Sequence, residues 1–330
     1  MSALRLVFMG SDPIALPLLE WLAGEGASVA TVVAVFTQPD RPVGRGQKIT
    51  ANGIKLWAQA RGIPVHQPDK ITEPVRQELA SYRADLALVM AYGHILRDDV
   101  IATPRLGTFN LHTSILPAYR GASPIQTAVA SGERETGVTF MRIVRQLDAG
   151  PVIDVERVPI APTDTALDIE GKLSAACVPL VARVLPRIAA GTISEQAQDG
   201  SRATFCRRLA KEDGVLDFRV PAAVLAGRIN GLFPWPACSV ELAGQPVKFG
   251  QAIVCHGLPD TGSPGEVLAG ESGRLLIATG QGVLEVLRLQ RPGGKMLAAG
   301  EFLRGFAVAA GTVLPSTPMP PLVGTEPFRG

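Results

Sequence analysis

The stretch Phe109–Pro117, FNLHTSILP, sets an amide and an imidazole two residues apart in an apolar run. Residues two apart on a strand share a face, so Asn110 and His112 project together while Phe109 and Leu111 face the other way. An amide and an imidazole aimed at one point can hold an oxygen on which negative charge is growing, and the imidazole can also pass a proton. Downstream, RQLDAGPV places Asp148 in a tight turn before Gly150 and Pro151, where a carboxylate can orient His112. Taken singly, an Asn-x-His pair in a strand is more often core packing, and such an Asp is more often a turn former. Their order, with a stiff apolar wall at Leu116 and Pro117 between them, is what points to chemistry.

These residues need elements to carry them. In the first half, continuous apolar runs (LRLVFM, VATVVAVF, IPVHQ, DLALVMAY, GTFNLH) alternate with helix-like segments. That alternation predicts a doubly wound, mostly parallel α/β sheet covered on both faces, with function at the carboxyl ends of its strands. The first strand runs into GSDP rather than G-x-G-x-x-G, which disfavours a nicotinamide or flavin enzyme. Ser123 and Pro124 read as an N-cap and a first helical residue. A helical stripe of Leu167, Leu173, Leu180, Val184 and Ile188 is expected to be kinked or divided at Pro179 and Pro186.

Beyond it the pattern changes. Residues 191–204 lack periodicity and read as a linker after a catalytic domain of residues 1–190. Residues 205–314 carry short strands and Gly-containing turns, the pattern of a small OB-like β-barrel. The proline-rich tail 315–330 is expected to be disordered, and LFPWP to pack around Trp235 in the core.

A chain of 330 residues accommodates two such cores, and a formal net charge of +2 selects neither a small molecule nor a nucleic acid as partner. Four cysteines without a CxxC spacing suit reduced thiols in the cytoplasm. The amino terminus lacks the apolar core of a signal peptide, and no uninterrupted apolar window reaches the roughly 18 residues of a membrane span.

FNLHTSILPAYRGASPIQ followed by LDAGPV resembles the 10-formyltetrahydrofolate-dependent formyltransferases, whose shared signature is Asn-x-His-x-Ser-x-Leu-Pro with a downstream Asp-x-Gly. VFTQPDRPVGRGQKI and NGLFPWPAC resemble those members that act on an aminoacylated tRNA. The resemblance implies Asn110, His112 and Asp148 as the catalytic trio, Ser114, Ile115, Leu116 and Pro117 as a folate-contacting loop, and Tyr92, Gly93, Ile95 and Leu96 as pterin-pocket residues. His94, in the same segment, is given no catalytic part. The implied donor is 10-formyltetrahydrofolate and the implied acceptor is initiator methionyl-tRNA, with no metal, no membrane and a monomeric chain.

On composition alone the loop around Arg41, Arg45 and Lys48 is a solvated surface. The resemblance makes it a tRNA contact; in the barrel Lys211 and Lys248, and beside them Arg207, Arg208, Arg288, Arg291 and Lys295, are candidates for phosphate contact. Two other readings stay open: a formyltransferase for a small amine or amino-sugar nucleotide, and an RNA-binding protein without catalysis.

Overall fold

The uninterrupted apolar runs of the first half become strands with little exposed surface. The computed structural model describes residues 3–43, 46–258, 262–269 and 273–328. Two compact units divide the chain, one of residues 1–120, 137–158 and 171–203, the other of residues 121–136, 159–170 and 204–330.

Up to residue 159 the strands are β1 (Leu4–Gly10), β2 (Ala30–Phe36), β3 (Arg41–Val43), β4 (Lys48–Thr50), β5 (Val65–His66), β6 (Leu86–Met90), β7 (Thr108–His112), β8 (Arg120–Gly121), β9 (Glu135–Arg142) and β10 (Val152–Pro159). Seven form one sheet in the order β10-β9-β7-β6-β1-β2-β5. β1 pairs in parallel with β2 and β6, β2 with β5, and β6 with β7, whereas β9 runs antiparallel to β7. This is the mostly parallel sheet that the alternation predicts. All of β6 is buried, as a strand covered on both faces requires. The chain winds outward from β1 to β5 on one side and from β6 to β7 on the other. The switch between β1 and β6 puts the loops after those strands where such sheets hold ligands.

At the end of β1, a Cβ on Gly10 would stand 2.5 Å from the Met90 carbonyl oxygen, so the close approach to β6 requires glycine. The GSDP turn then closes on itself, Asp12 accepting from the Ile14 N–H at 2.9 Å. It leads into α1 (Leu16–Ala23). The next helices are α2 (Gly53–Gln59), α3 (Glu73–Ser81), α4 (Asp98–Ile101) and α5 (Pro124–Ala130); Ser123 precedes α5 but makes no side-chain cap.

In α6 (Ala166–Ala189) the helix is not divided: it continues through Pro179 and Pro186. Each interior proline costs about 3 kcal/mol. Leu173, Cys177, Leu180, Val181, Val184, Leu185 and Ile188 are all buried, and at roughly 1.5–3 kcal/mol per buried aliphatic side chain the face outweighs both prolines. Leu167, expected on the same stripe, is 49% exposed.

The second unit holds β11 (Phe205–Cys206), α7 (Ala222–Leu232), β12 (Cys238–Leu242), β13 (Gln245–Cys255), β14 (Leu275–Ala278), β15 (Val283–Gln290), β16 (Leu297–Ala298), α8 (Ala299–Gly305) and β17 (Val323–Gly324). The antiparallel order is β12-β13-β15-β14, with β16 on β15. Ala243 and Gly244, at φ 46° and 74°, turn the β12–β13 hairpin. β13 shifts register around Gln251. There the buried Asn230 amide stands in as partner, accepting from Ala252 N and donating to Ala252 O, both at 2.9 Å. A core that includes Phe218, Ile229, Phe249 and Leu284 fills this small half-closed barrel.

Three expectations change here. Residues 315–328 are not disordered: Leu322 is buried, β17 pairs with β11, and Thr317 N donates to Leu216 O at 2.8 Å. Residues 195–198 do not hang free as a linker. Gln196 exchanges two 2.8 Å backbone hydrogen bonds with Val152. Trp235 is 57% exposed rather than core, since the proline-flanked turn carries its ring outward.

Candidate active site

β7 carries both side chains of the FNLH stretch, and strand alternation puts Asn110 and His112 on one face. Asn110 is half-buried, and among the described residues its amide makes no hydrogen bond. His112 is buried, with Nε2 2.9 Å from the Tyr119 carbonyl oxygen. A carbonyl only accepts, so Nε2 bears a hydrogen in either charge state of the ring. Nδ1 points the other way, 3.7 Å from Asp148 Oδ2. That gap is too long for a direct hydrogen bond yet short enough for the carboxylate's field to act on the ring.

Asp148 reaches His112 by a route no local pattern announces. β9 ends with Arg142 opposite Phe109, so residues 143–151 leave beside the amino half of β7 and fold back toward its carboxyl end. The turn is built by Asp148 itself, at φ 47°. It also needs Gly150, where a Cβ would stand 1.8 Å from the Arg142 carbonyl oxygen.

A polar clamp lies behind the turn. Gln198 Nε2 donates to the carbonyls of Asp148 at 2.8 Å and Gly150 at 2.7 Å. Its Oε1 accepts from Arg120 Nε at 3.2 Å and Nη2 at 2.7 Å. Burial pulls the Arg120 guanidinium below its ordinary pKa, and the Asp148 charge offsets part of that. Sequence reasoning singled out neither residue: Arg120 reads as one more surface cation, and Gln198 falls in an aperiodic stretch.

The wall after β7 is strapped by another residue the sequence did not mark. Buried Thr139 donates from Oγ1 to Ser114 O at 2.6 Å and accepts from Leu116 N at 3.2 Å. Ser114 Oγ donates to Ala118 O at 2.6 Å. Leu116 is buried, with Ile115 and Pro117 half-buried beside it.

After β6, Tyr92 and Leu96 are buried while Ile95 is 87% exposed, and Gly93 turns at φ 81°. Among the described residues Tyr92 Oη and His94 Nε2 are buried without a hydrogen-bond partner, their rings 4.9 Å apart edge to face. Burial pushes the Tyr92 hydroxyl's pKa up. Two buried polar atoms left unpaired at a strand's carboxyl end suit a polar heterocycle that would satisfy them.

Among the basic candidates, Arg41 and Lys48 are exposed on β3 and β4, and Arg45 lies outside the described residues. Arg41 Nη2 donates to Gln38 Oε1 at 2.9 Å, and Gln38 Nε2 donates to Tyr92 O at 3.0 Å, which ties the ribbon's root to the Tyr92 loop. In the second unit Lys211 and Lys248 are exposed. Lys248 pairs with Gln290, two residues from Arg288 on β15, so the sheet gathers Lys248 and Arg288 on one face. Arg207 is corrected to a structural residue, since it is ion-paired at 2.5 Å with buried Asp213. Among the described residues no group of three or more His, Cys, Asp or Glu is placed to hold a metal ion, and no helix is long and apolar enough to cross a membrane.

A strand end that offers an amide, an imidazole and a carboxylate beside a strapped apolar loop is the equipment of acyl transfer. The chain belongs to the formyl transferase family: the model described as "Formyl transferase" matches residues 4–185, and "Formyl transferase, C-terminal domain" matches residues 208–307. Relatives with a more particular name are similar over nearly the whole length. Methionyl-tRNA formyltransferase of Ectopseudomonas mendocina is 42% identical over 298 residues, 90% of this chain and 93% of that protein. Its namesake of Trichlorobacter lovleyi is 38% identical over 315 residues, 95% of this chain and 98% of that one.

Solved structures share the fold. An N-formyltransferase from Helicobacter canadensis in complex with folinic acid and dTDP-3-aminofucose superposes with TM-score 0.63 at 20% identity, covering 87% of this chain and 99% of that one. HypX from Aquifex aeolicus, in complex with tetrahydrofolic acid, gives 0.60 at 18% identity; 92% of this chain is covered, which spans about half of HypX, 47% of its length.

Proposed function

We propose that the chain transfers the formyl group of 10-formyltetrahydrofolate to the α-amine of initiator methionyl-tRNA, the step that prepares the initiating aminoacyl-tRNA for translation in the cytoplasm. The observation that carries the reading is the disposition of His112. With Nε2–H committed to Tyr119 O, Nδ1 faces Asp148 Oδ2 and is the ring nitrogen left to meet a substrate, on the same strand face as the Asn110 amide.

A free α-amino group titrates around 7.7–8.0, and its esterified neighbour lowers that further, so the attacking amine is neutral near pH 7 without a strong base. As the amine's lone pair forms the new C–N bond, the formyl oxygen becomes an oxyanion. The Asn110 amide and a protonated His112 Nδ1 donate to it. Asp148 takes the proton shed by the attacking nitrogen and passes it, directly or through water, to the departing folate nitrogen as the old C–N bond breaks. Tyr92, His94 and the Ser114–Pro117 loop hold the folate, and Arg41, Arg45, Lys48, Lys211 and Lys248 meet tRNA phosphates. Residues 1–190 form the catalytic part and 205–314 the tRNA-binding part of a monomer, with no metal in the chemistry.

The test is formyl transfer from the folate donor to methionyl-tRNA, free methionine and an amino-sugar nucleotide. Transfer to methionyl-tRNA is expected to exceed that to either small amine by at least ~10²-fold in kcat/KM. Equal rates on the small amines overturn the acceptor assignment, and no transfer to any acceptor returns the chain to a binding protein.

A further inference from the structure

We propose that Gln198, oriented by Arg120, is a positioning residue that aims the Asp148 carboxylate at Nδ1 of His112; the proposal rests on the catalytic reading of Asp148 given above. Asp148 sits in the left-handed region at φ 47°, which aspartate tolerates better than most non-glycine residues but which still costs energy that its surroundings offset. The turn also directs two carbonyls, those of Asp148 and Gly150, toward one point, and each must find a donor.

A primary amide supplies both. The two hydrogens of Gln198 Nε2 go to Asp148 O at 2.8 Å and Gly150 O at 2.7 Å, while Oε1 receives two Arg120 donors. Arg120 therefore decides which end of the amide is oxygen, because a flipped Gln198 would set its NH2 against a guanidinium and its oxygen against two carbonyls.

The neighbouring residues strengthen the brace. Glu195 Oε1 accepts from Arg142 Nε at 2.8 Å where the loop begins, and Gln196 pairs with Val152 where it ends. Residues 195–198 thus back the loop at its start, middle and end, and Gln198 hydrogen-bonds the backbone of the residue that carries the carboxylate.

Two variants separate aiming from mere support. Gln198→Met keeps the side chain's length and removes every polar contact. Gln198→Glu keeps a partner for Arg120 but has no hydrogen to donate. Because a misplacement of about 1 Å costs on the order of 10²-fold, both are expected to lower kcat by roughly that factor with donor KM within about threefold, beside a modest fall in Tm from the hydrogen bonds removed.

In an Asp148→Asn background, Gln198→Met is expected to change the residual kcat by less than about threefold, since there is no carboxylate left to aim. Wild-type kcat in Gln198→Met or in Gln198→Glu overturns the proposal. So does a kcat loss matched by a fall in donor affinity, and so does a full further loss in the Asp148→Asn background. The two readings fail separately. Unchanged kcat in Asp148→Asn alone removes the catalytic reading, whereas an inactive Asp148→Asn beside an active Gln198→Met removes only the positioning assignment.

Discussion

Nε2 of His112 donates to the Tyr119 carbonyl across 2.9 Å, which leaves Nδ1 as the ring nitrogen able to exchange a proton with a substrate. Tyr119 itself stands at φ 60°, so the loop after β7 doubles back to present that carbonyl to the strand end. The tautomer is set by backbone, and the reacting edge of the ring faces Asp148.

If Asn110 and Asp148 act on the transition state rather than on binding, truncating them should leave the ground state intact. Asn110→Ala and Asp148→Ala are each expected to lower kcat by about 10²- to 10³-fold while the dissociation constant for the folate donor, by calorimetry, shifts less than about threefold. Normal turnover with weakened folate binding would contradict the assignment.

The acceptor contact is electrostatic and therefore readable in salt. Removing one phosphate contact reduces the slope of log K against log salt by about one. Arg45→Ala and Lys248→Ala are each expected to show that reduction in filter binding with methionyl-tRNA, with kcat at saturating tRNA retained. An unchanged slope in both would detach these cations from the RNA.

Asp213 holds the second unit together at neutral pH. Burial by itself would raise its carboxyl, but hydrogen bonds from Arg207 and the Ala210 N–H carry its pKa below the ordinary 3.8. A depressed carboxyl contributes stability that is fully present above its unfolded value and is lost as pH falls through the folded one. Asp213→Asn is expected to cost about 3 kcal/mol at pH 7, and the difference from wild type should shrink below pH 3.8 in urea melts. A gap that stays constant down to pH 2 would count against the linkage.

The tail gives a truncation test. Ser316 Oγ accepts from Phe218 N at 3.0 Å, Pro320 O from Arg228 Nη1 at 3.0 Å and Pro321 O from Arg207 Nε at 3.2 Å. Deleting residues 316–330 removes these partners and the β11–β17 pairing. At roughly 0.5–1.5 kcal/mol per hydrogen bond, and more where an arginine is left unsatisfied, the loss should be about 3 kcal/mol and visible as a lower Tm. A truncated chain with wild-type Tm would return the tail to a dispensable segment.

By itself the sequence determined what depends on local periodicity and on residues close together in the chain. Alternating apolar strands and helices specify the parallel sheet, and an Asn and a His two apart on one strand must share a face. Tertiary structure decided whatever depends on burial and long-range reach. Pro179 and Pro186 stay inside one helix because a buried face outweighs their cost. The proline-rich tail is ordered because arginines far back in the chain need its carbonyls. Asp148 meets His112 because a loop folds back along β7 and is held by Gln198, fifty residues further on. No pattern in AQDG announces that contact, since a glutamine's worth as a clamp lies in where its amide ends up, and only the folded backbone determines that.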